Sequence, residues 1–379
     1  MNNGVVLGIE NLMEDPSLLK GKNVGIIANP TSIDGQFRHI VDILYEIDGI
    51  NLKAIFGPEH GFRGDQDSTV EDAIDPYTEL PVYSLYGKTE KPTTKMLQGI
   101  DMLLFDMQDA GVRFYTYIST MAYSMQAAAD NGIEFIVLDR PNPINGVSIE
   151  GPVLEKGFES FVGPYPLPIR HGMTLGELAR YFNDEFAIGA NLHVIPMQGW
   201  KREAWYDDTG LENWVLPSPN LPTLDTATVY PGTCLLEGTN ISEGRGTTRP
   251  FEMIGAPFID GMGLARYLNQ RQLPGVVFRS VSFIPFYRKY VNEKAHGVQM
   301  HVLDRDIFQA VRTGIEILVA IKRLYPGELE FREDVFDRLA GNSWIREAIV
   351  GGESAEEIEA RWQGELEQFG TVRAKYLLY

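Results

Sequence analysis

Cysteine is nearly absent from this 379-residue sequence: there is one, Cys234. No intrachain disulfide can form, and a cysteine-based metal site is excluded, so Cys234 reads as a lone buried thiol. No run reaches the roughly 18 apolar residues that a membrane span needs. Basic residues are scarce relative to acidic ones, 33 against 52, for a net charge of −19. Such a field repels nucleic acid and anionic membranes. The start, Met1-Asn2-Asn3-Gly4, lacks a basic region followed by an apolar stretch, so no export signal is visible. A cytoplasmic location is the expectation, with export or a periplasmic location as the alternative if a signal has been removed.

Several catalytic signatures are also missing. No Gly-x-Ser-x-Gly occurs, which removes the nucleophile elbow of a serine hydrolase. There is no phosphate-binding P-loop. Gly244-Arg-Gly-Thr-Thr-Arg249 imitates the start of a dinucleotide fingerprint but lacks its third glycine and its place in the first strand–helix unit. The six histidines, at 39, 60, 171, 193, 296 and 301, include no i, i+4 pair. No cofactor is expected.

What is present is a soluble globular composition, 44% hydrophobic and 22% charged. The length suits two domains, each with its own core. Val24–Asn29, Leu52–Phe56, Met102–Asp106 and Phe135–Asp139 read as buried strands. Between them lie helical patterns, such as Thr116–Asn131, with Ile118, Met121, Ala122, Met125 and Ala129 at helix spacing. This alternation predicts an α/β, Rossmann-like domain with a mostly parallel sheet covered on both faces. Thr174-Leu-Gly-Glu177 is a capping box. Pro217 to Pro231 is proline-rich and reads as a loop, so the boundary falls near 225. That gives a catalytic domain at 1–225 and a smaller α/β (α+β) domain at 226–379 that completes the cleft. Strands are expected there at Val276–Phe283 and Gly297–Leu303, then a helix at Asp306–Tyr325 and a terminal helix carrying Ile358, Trp362 and Leu366.

In an open parallel sheet, ligands bind beyond the carboxyl ends of the strands. Those ends are polar here. They carry Asn29; Glu59, His60 and Arg63; Asp106, Gln108 and Asp109, followed by Arg113, Tyr115 and Tyr117; and Asp139, Arg140 and Asn142. A second polar segment holds Glu237, Asn240, Glu243, Arg245, Thr247 and Thr248 among glycines that allow close backbone approach to a ligand. Any one of these residues could be an ordinary cap or solvated loop residue. Glycine and proline around Glu59 and His60 argue for a loop of fixed shape.

Phe56-Gly-Pro-Glu-His-Gly-Phe-Arg-Gly64, Asp106-Met-Gln-Asp109 with Gly111-Val-Arg-Phe-Tyr-Thr-Tyr117, Leu138-Asp-Arg-Pro-Asn-Pro143 and Glu237-Gly-Thr-Asn-Ile-Ser-Glu-Gly-Arg-Gly-Thr-Thr248 together resemble the NamZ-type exo-β-N-acetylmuramidases. The resemblance covers nearly the whole chain. It implies a glycosidase of hexosaminidase type that releases N-acetylmuramic acid from the non-reducing end of peptidoglycan fragments of MurNAc-GlcNAc type, in bacterial cell-wall turnover and recycling. It also implies a site in a cleft between a Rossmann-like domain and a second domain, with the catalytic glutamate at Glu59.

Glycoside hydrolysis needs a proton donor and a group on the other side of the sugar ring. Glu59 is the general acid on this reading. Its positive neighbours His60 and Arg63 must then turn toward the substrate or be offset by Asp106 or Asp109. The second group is open among Asp106, Asp109, Asp139, Glu237, Glu243 and the substrate's acetamido oxygen. Arg113, Tyr115 and Asn142 are expected on one wall, Asn240 and Arg245 on the other. Arg245 is the first choice for the lactyl carboxylate of muramic acid, with Arg63 and Arg249 in reserve. Two rivals remain: a sugar-binding module without catalysis, and a metal-dependent hydrolase using Asp106 and Asp109.

Overall fold

The computed structural model describes residues 4–62, 72–211 and 214–379. In the first half the strands are β1 (Asn23–Ala28), β2 (Asn51–Gly57), β3 (Ala73–Ile74), β4 (Pro81–Ser84), β5 (Met102–Asp106), β6 (Glu134–Leu138), β7 (Glu150–Val153), β8 (Pro168–Arg170) and β9 (Asn191–Ile195). The helices there are α1 (Gly8–Glu14), α2 (Ile40–Glu46), α3 (Tyr117–Asn131) and α4 (Leu175–Glu185). The main sheet has the order β3-β4-β2-β1-β5-β6-β9, parallel except for β3 against β4. This is the Rossmann-like architecture expected from the strand–helix alternation.

Side-chain alternation along the strands feeds two cores, one on each face. Val24, Ile26, Met102, Leu104, Ile136 and Leu138 pack with α1 and α2. Leu103, Phe105, Phe135 and Val137 pack with α3 and α4. Continuous apolar runs such as MLLFD are what a strand covered on both sides requires.

The second half holds α5 (Leu224–Thr233), β10 (Met253–Ala256), α6 (Gly261–Gln270), β11 (Val276–Phe283), β12 (Ala295–Val302), α7 (Ala310–Leu324), α8 (Glu333–Ala340), α9 (Trp344–Gly351) and α10 (Ala355–Arg373). Its sheet is antiparallel, in the order β10-β12-β11. Three expectations need correction. The proline-rich stretch is a loop only to Thr223: Thr223 caps α5 by accepting from Thr226 N, and Pro231 sits inside that helix. The long helix begins at Ala310 rather than Asp306, because Asp304 to Asp306 form a side-chain-braced turn that also holds Trp205. And the second half has no core of its own. One hydrophobic cluster runs from Leu103 and Phe135 through Leu236 and Val298 to Trp362 and Phe369. Helix α10 returns against β7, and the terminal Tyr379 donates to Asp139 Oδ2 at 2.7 Å. The two halves are therefore clamped, and the cleft between them is built into a shared core. Among the described residues no helix is long and apolar enough to cross a membrane.

Candidate active site

A cleft of about 910 Å³ lies between the two halves. That is the scale of a small-molecule site. Its first wall is set by the end of β2. Residues Pro58 to Gly61 form a tight turn closed by Gly61 N donating to Pro58 O at 2.9 Å. His60 takes a left-handed backbone, φ 71°, which is rare for a residue with a Cβ. The turn puts Glu59 into the cleft, where Thr116 Oγ1 at the start of α3 donates to Glu59 Oε2 at 2.7 Å. Tyr86 and Tyr115 also line this wall. Burial, and then the charge of Glu59, raises the Tyr86 phenol; burial chiefly raises Tyr115 as well. Both therefore stay protonated at neutral pH.

The opposite wall is an ion network. Arg245 donates to Glu237 Oε1 at 2.6 Å, and its Nε lies 3.7 Å from Glu243 Oε1. Lys289 Nζ donates to Glu243 Oε2 at 2.9 Å and to the carbonyls of Leu236 and Ile241, each at 2.8 Å. Burial works against the Arg245 cation, but Glu237 and Glu243 outweigh it and its pKa is raised. The glycines of this segment serve the chain rather than a ligand. A Cβ on Gly244 would meet Met253 O at 2.4 Å, and one on Gly246 would meet Tyr287 N at 2.5 Å, so both are needed for close backbone packing. Cys234 faces the cleft from α5's end; burial, then Glu237, pushes its thiol well up, so it remains protonated.

Of the residues singled out in the sequence, Glu59, His60, Tyr115, Glu237, Glu243 and Arg245 line the cleft. The others lie elsewhere, for definable reasons. Asp106 is buried, and both its oxygens accept from Arg140, at 2.5 and 2.9 Å. It is thereby occupied, which removes it as a metal ligand or offsetting charge. Asp109 Oδ2 accepts from Gly111 N at 2.8 Å, shaping its own loop. Arg113 is fully buried and donates to three carbonyls, of Pro152 (3.1 Å), Leu167 (2.9 Å) and Leu339 (2.6 Å), the last in α8. Burial lowers its pKa to about 9, so it remains charged and ties the halves together. Tyr117 donates to Pro217 O behind the wall.

Asp139 accepts from Gly176 N, Thr174 Oγ1 and Tyr379 OH, fastening α4 and the chain's end to β6. Asn142 bridges Ile144 N and Met173 O, and Asn29 holds Thr31 N. Gln108 donates to Asp109 O and Pro141 O; with Arg140 it borders a smaller pocket of about 450 Å³ beside the β1 and β5 ends. Asn240 braces Glu328 and Glu330, not the cleft. Thr247 closes a turn onto Gly244 O, and Thr248 is exposed outside the lining. Arg249 pairs with Glu252. Arg63 lies outside the described residues.

The sequence reading missed several lining residues. Phe114 and Thr116 sat unremarked inside the Gly111–Tyr117 motif, and Tyr230 inside the stretch read as a linker. Tyr86, Phe161, Arg288, Lys289 and Arg332 also line the cleft. Phe286-Tyr-Arg-Lys-Tyr290 is a basic, aromatic cluster in an acidic chain, and that contrast was a usable signal. Tyr86 and Phe161 approach with ring centroids 5.9 Å apart, Phe114 and Tyr230 at 5.4 Å. Aromatic surface, neutral hydroxyls and carboxylates in one cleft suit a sugar ring with polar substituents.

Comparison with known proteins agrees with that geometry. A family model described as exo-β-N-acetylmuramidase NamZ, N-terminal, matches residues 24–225, and its C-terminal counterpart matches 228–379. The peptidoglycan β-N-acetylmuramidase NamZ of Bacillus subtilis (strain 168) is 54% identical over 379 residues, spanning 99% of this chain and 91% of that protein. Two crystal structures of DUF1343 family proteins from Bacteroides fragilis NCTC 9343 share the fold. BF0371 has a TM-score of 0.95 at 42% identity, covering all of both chains. BF0379 has a TM-score of 0.82 at 35% identity, covering 99% of each.

Proposed function

The chain belongs to the exo-β-N-acetylmuramidase NamZ family, and we propose that its interdomain cleft is where terminal N-acetylmuramic acid is released, with Glu59 as proton donor. The activity is that of a glycosidase acting on peptidoglycan-derived amino sugars; the finer assignment is a hexosaminidase-type enzyme working from the non-reducing end of MurNAc-GlcNAc fragments. The observation that carries the Glu59 assignment is its position: an acid on a fixed turn, held by the Thr116 hydroxyl, in a cleft lined by aromatic rings.

In the reaction the Glu59 carboxyl gives its proton to the glycosidic oxygen as the C1–O bond breaks, and the departing sugar leaves as an alcohol. Water then supplies the oxygen that ends on C1, and its proton passes to the Glu59 carboxylate or to the group on the far side of the ring. The group on the far side of the ring is drawn from Glu237, Glu243 and the substrate's acetamido oxygen. Asp106, Asp109 and Asp139 are not among the residues lining the cleft, which speaks against them in that role. Incubation with the disaccharide MurNAc-GlcNAc should yield free N-acetylmuramic acid, and a chromogenic β-N-acetylmuraminide should be cleaved faster than the β-N-acetylglucosaminide. Absence of free N-acetylmuramic acid, or preference for the glucosaminide, would overturn the reading.

A further inference from the structure

The charges of the cleft do not follow the charge of the protein. Its described lining holds four carboxylates (Glu59, Glu90, Glu237, Glu243) and four cations (Arg245, Arg288, Lys289, Arg332), against a net charge of −19 for the chain. A locally balanced cleft in so acidic a molecule is the condition an anionic substrate needs. Two of those cations are already engaged. Arg245 is held by Glu237 and Glu243, and Lys289 by Glu243 and two carbonyls, so each would have to abandon a partner to take a new anion.

Arg288 and Arg332 differ. Both are exposed in the cleft and neither has a carboxylate partner among the described residues. Arg288 stands at a left-handed residue, φ 68°, in a loop between β11 and β12 that is fastened on both sides. Phe286 N donates to Gly246 O at 3.0 Å, Asn292 N to Pro285 O at 2.9 Å, and the adjoining Lys289 is anchored to the wall. The guanidinium lies 4.9 Å from the centroid of the Tyr287 ring in its own loop. It lines the same cleft as Tyr86 and Glu59.

We propose that Arg288, seconded by Arg332, forms the anion subsite that reads the lactyl carboxylate of a muramic acid residue, and that Arg245 instead braces the wall. The proposal rests on the muramidase reading and gives its site a determinant of selectivity. The lactyl ether is what muramic acid adds to glucosamine, and it ends in a carboxylate. A planar guanidinium with no carboxylate partner among the described residues matches that group in charge and in geometry. Arg288 and Glu59 line one cleft, so the anion that Arg288 takes belongs to the substrate bound at Glu59.

The test uses the full chain with two chromogenic substrates, the β-N-acetylmuraminide and the β-N-acetylglucosaminide, and a muraminide whose lactyl carboxylate is amidated. Arg288→Met should raise KM for the muraminide roughly 10- to 100-fold, the range for a hydrogen bond to a charged group, and leave the glucosaminide unchanged. Arg332→Met should act in the same direction with a smaller factor. On the wild type, amidation should cost a similar factor; on Arg288→Met it should cost almost nothing more. Arg288→Lys, which keeps charge but not the fork, should fall between, and an unchanged melting temperature shows that each variant is folded. Arg245→Met should impair both sugars alike. If the wild type cleaves no muraminide, the functional reading falls and this proposal with it. If it does, and Arg288→Met leaves the muraminide KM unchanged or impairs both sugars equally, only the arginine assignment is overturned.

Discussion

Asp106 and Glu59 each belong to the carboxyl end of a buried parallel strand in one sheet, β5 and β2, yet their surroundings are opposite. Asp106 is engaged at both side-chain oxygens and at its carbonyl. Arg140 spans its two oxygens, Ser32 donates to its backbone carbonyl, and Asp139, just past the end of the next strand, holds α4 and the chain terminus. Around Glu59 the Thr116 and Tyr86 hydroxyls meet the carboxylate, and beyond it lies open volume walled by the second half. Buried polar groups must be paired, so a saturated cluster is what a frame looks like. A group with room for a ligand in front of it and a fixed support behind it is what a site looks like. The β1/β5 position is where strand order reverses and where an open α/β sheet ordinarily binds its ligand. Here Thr31, Ser32 and Gln108 are tied together at that rim, which keeps only the smaller pocket of about 450 Å³, and the larger cleft opens beside β2 instead.

The sharpest way to break this contrast is to cut the frame. Asp106→Ala leaves the Arg140 cation buried without its carboxylate, which costs about 3–5 kcal/mol. The denaturation midpoint should fall steeply while kcat per folded molecule changes little. Loss of kcat at unchanged stability would move Asp106 into the chemistry.

A smaller effect comes from Asp139, whose pKa burial raises from 3.8 to about 6. A raised carboxyl favours the protonated form in the fold. The stability it lends is complete below about pH 4 and lost as the pH rises through about 6. The stability of the wild type relative to Asp139→Asn should therefore decline between about pH 4 and 7, by up to about 3 kcal/mol. Unfolding curves at several pH values check this, and a difference that stays flat would show that Asp139 ionises freely in the fold.

The smallest effect is expected at Thr116, a positioning residue. Thr116→Val removes one hydrogen bond, about 1 kcal/mol or roughly fivefold in kcat with KM nearly unchanged, and Thr116→Ser should restore it. A KM effect without a kcat effect would mean that Thr116 binds substrate instead of holding Glu59.

The sheet was legible because its strands are short, apolar and flanked by turn residues, so Met102–Asp106 and Val276–Phe283 could be bounded from the sequence alone. Helix α5 was not, since Pro231 reads as a breaker until its neighbours show that it sits in the last turn, packed in the core. Glu59 and Arg245 stood out through their glycine- and proline-rich settings. Arg113, Asp139 and Asn142 stood out equally, because local sequence does not distinguish a polar residue that bonds to distant carbonyls from one that faces a cleft. Arg113's partners are 39, 54 and 226 residues away in the chain. Arg332, just before a short helix, carried no local signal at all.

Catalysis here turns on Glu59 as proton donor, and the direct measurement compares Glu59→Gln with the wild type on two β-N-acetylmuraminides that differ only in leaving group. One leaves as a sugar alkoxide and needs a proton; the other, a dinitrophenolate, does not. Because a positioned acid contributes about 10²–10⁴-fold, kcat/KM on the sugar aglycone should fall by that much, with far less loss on the activated one and no change in melting temperature. An equal loss on both substrates, or near-normal turnover of the sugar aglycone by the folded variant, would contradict it.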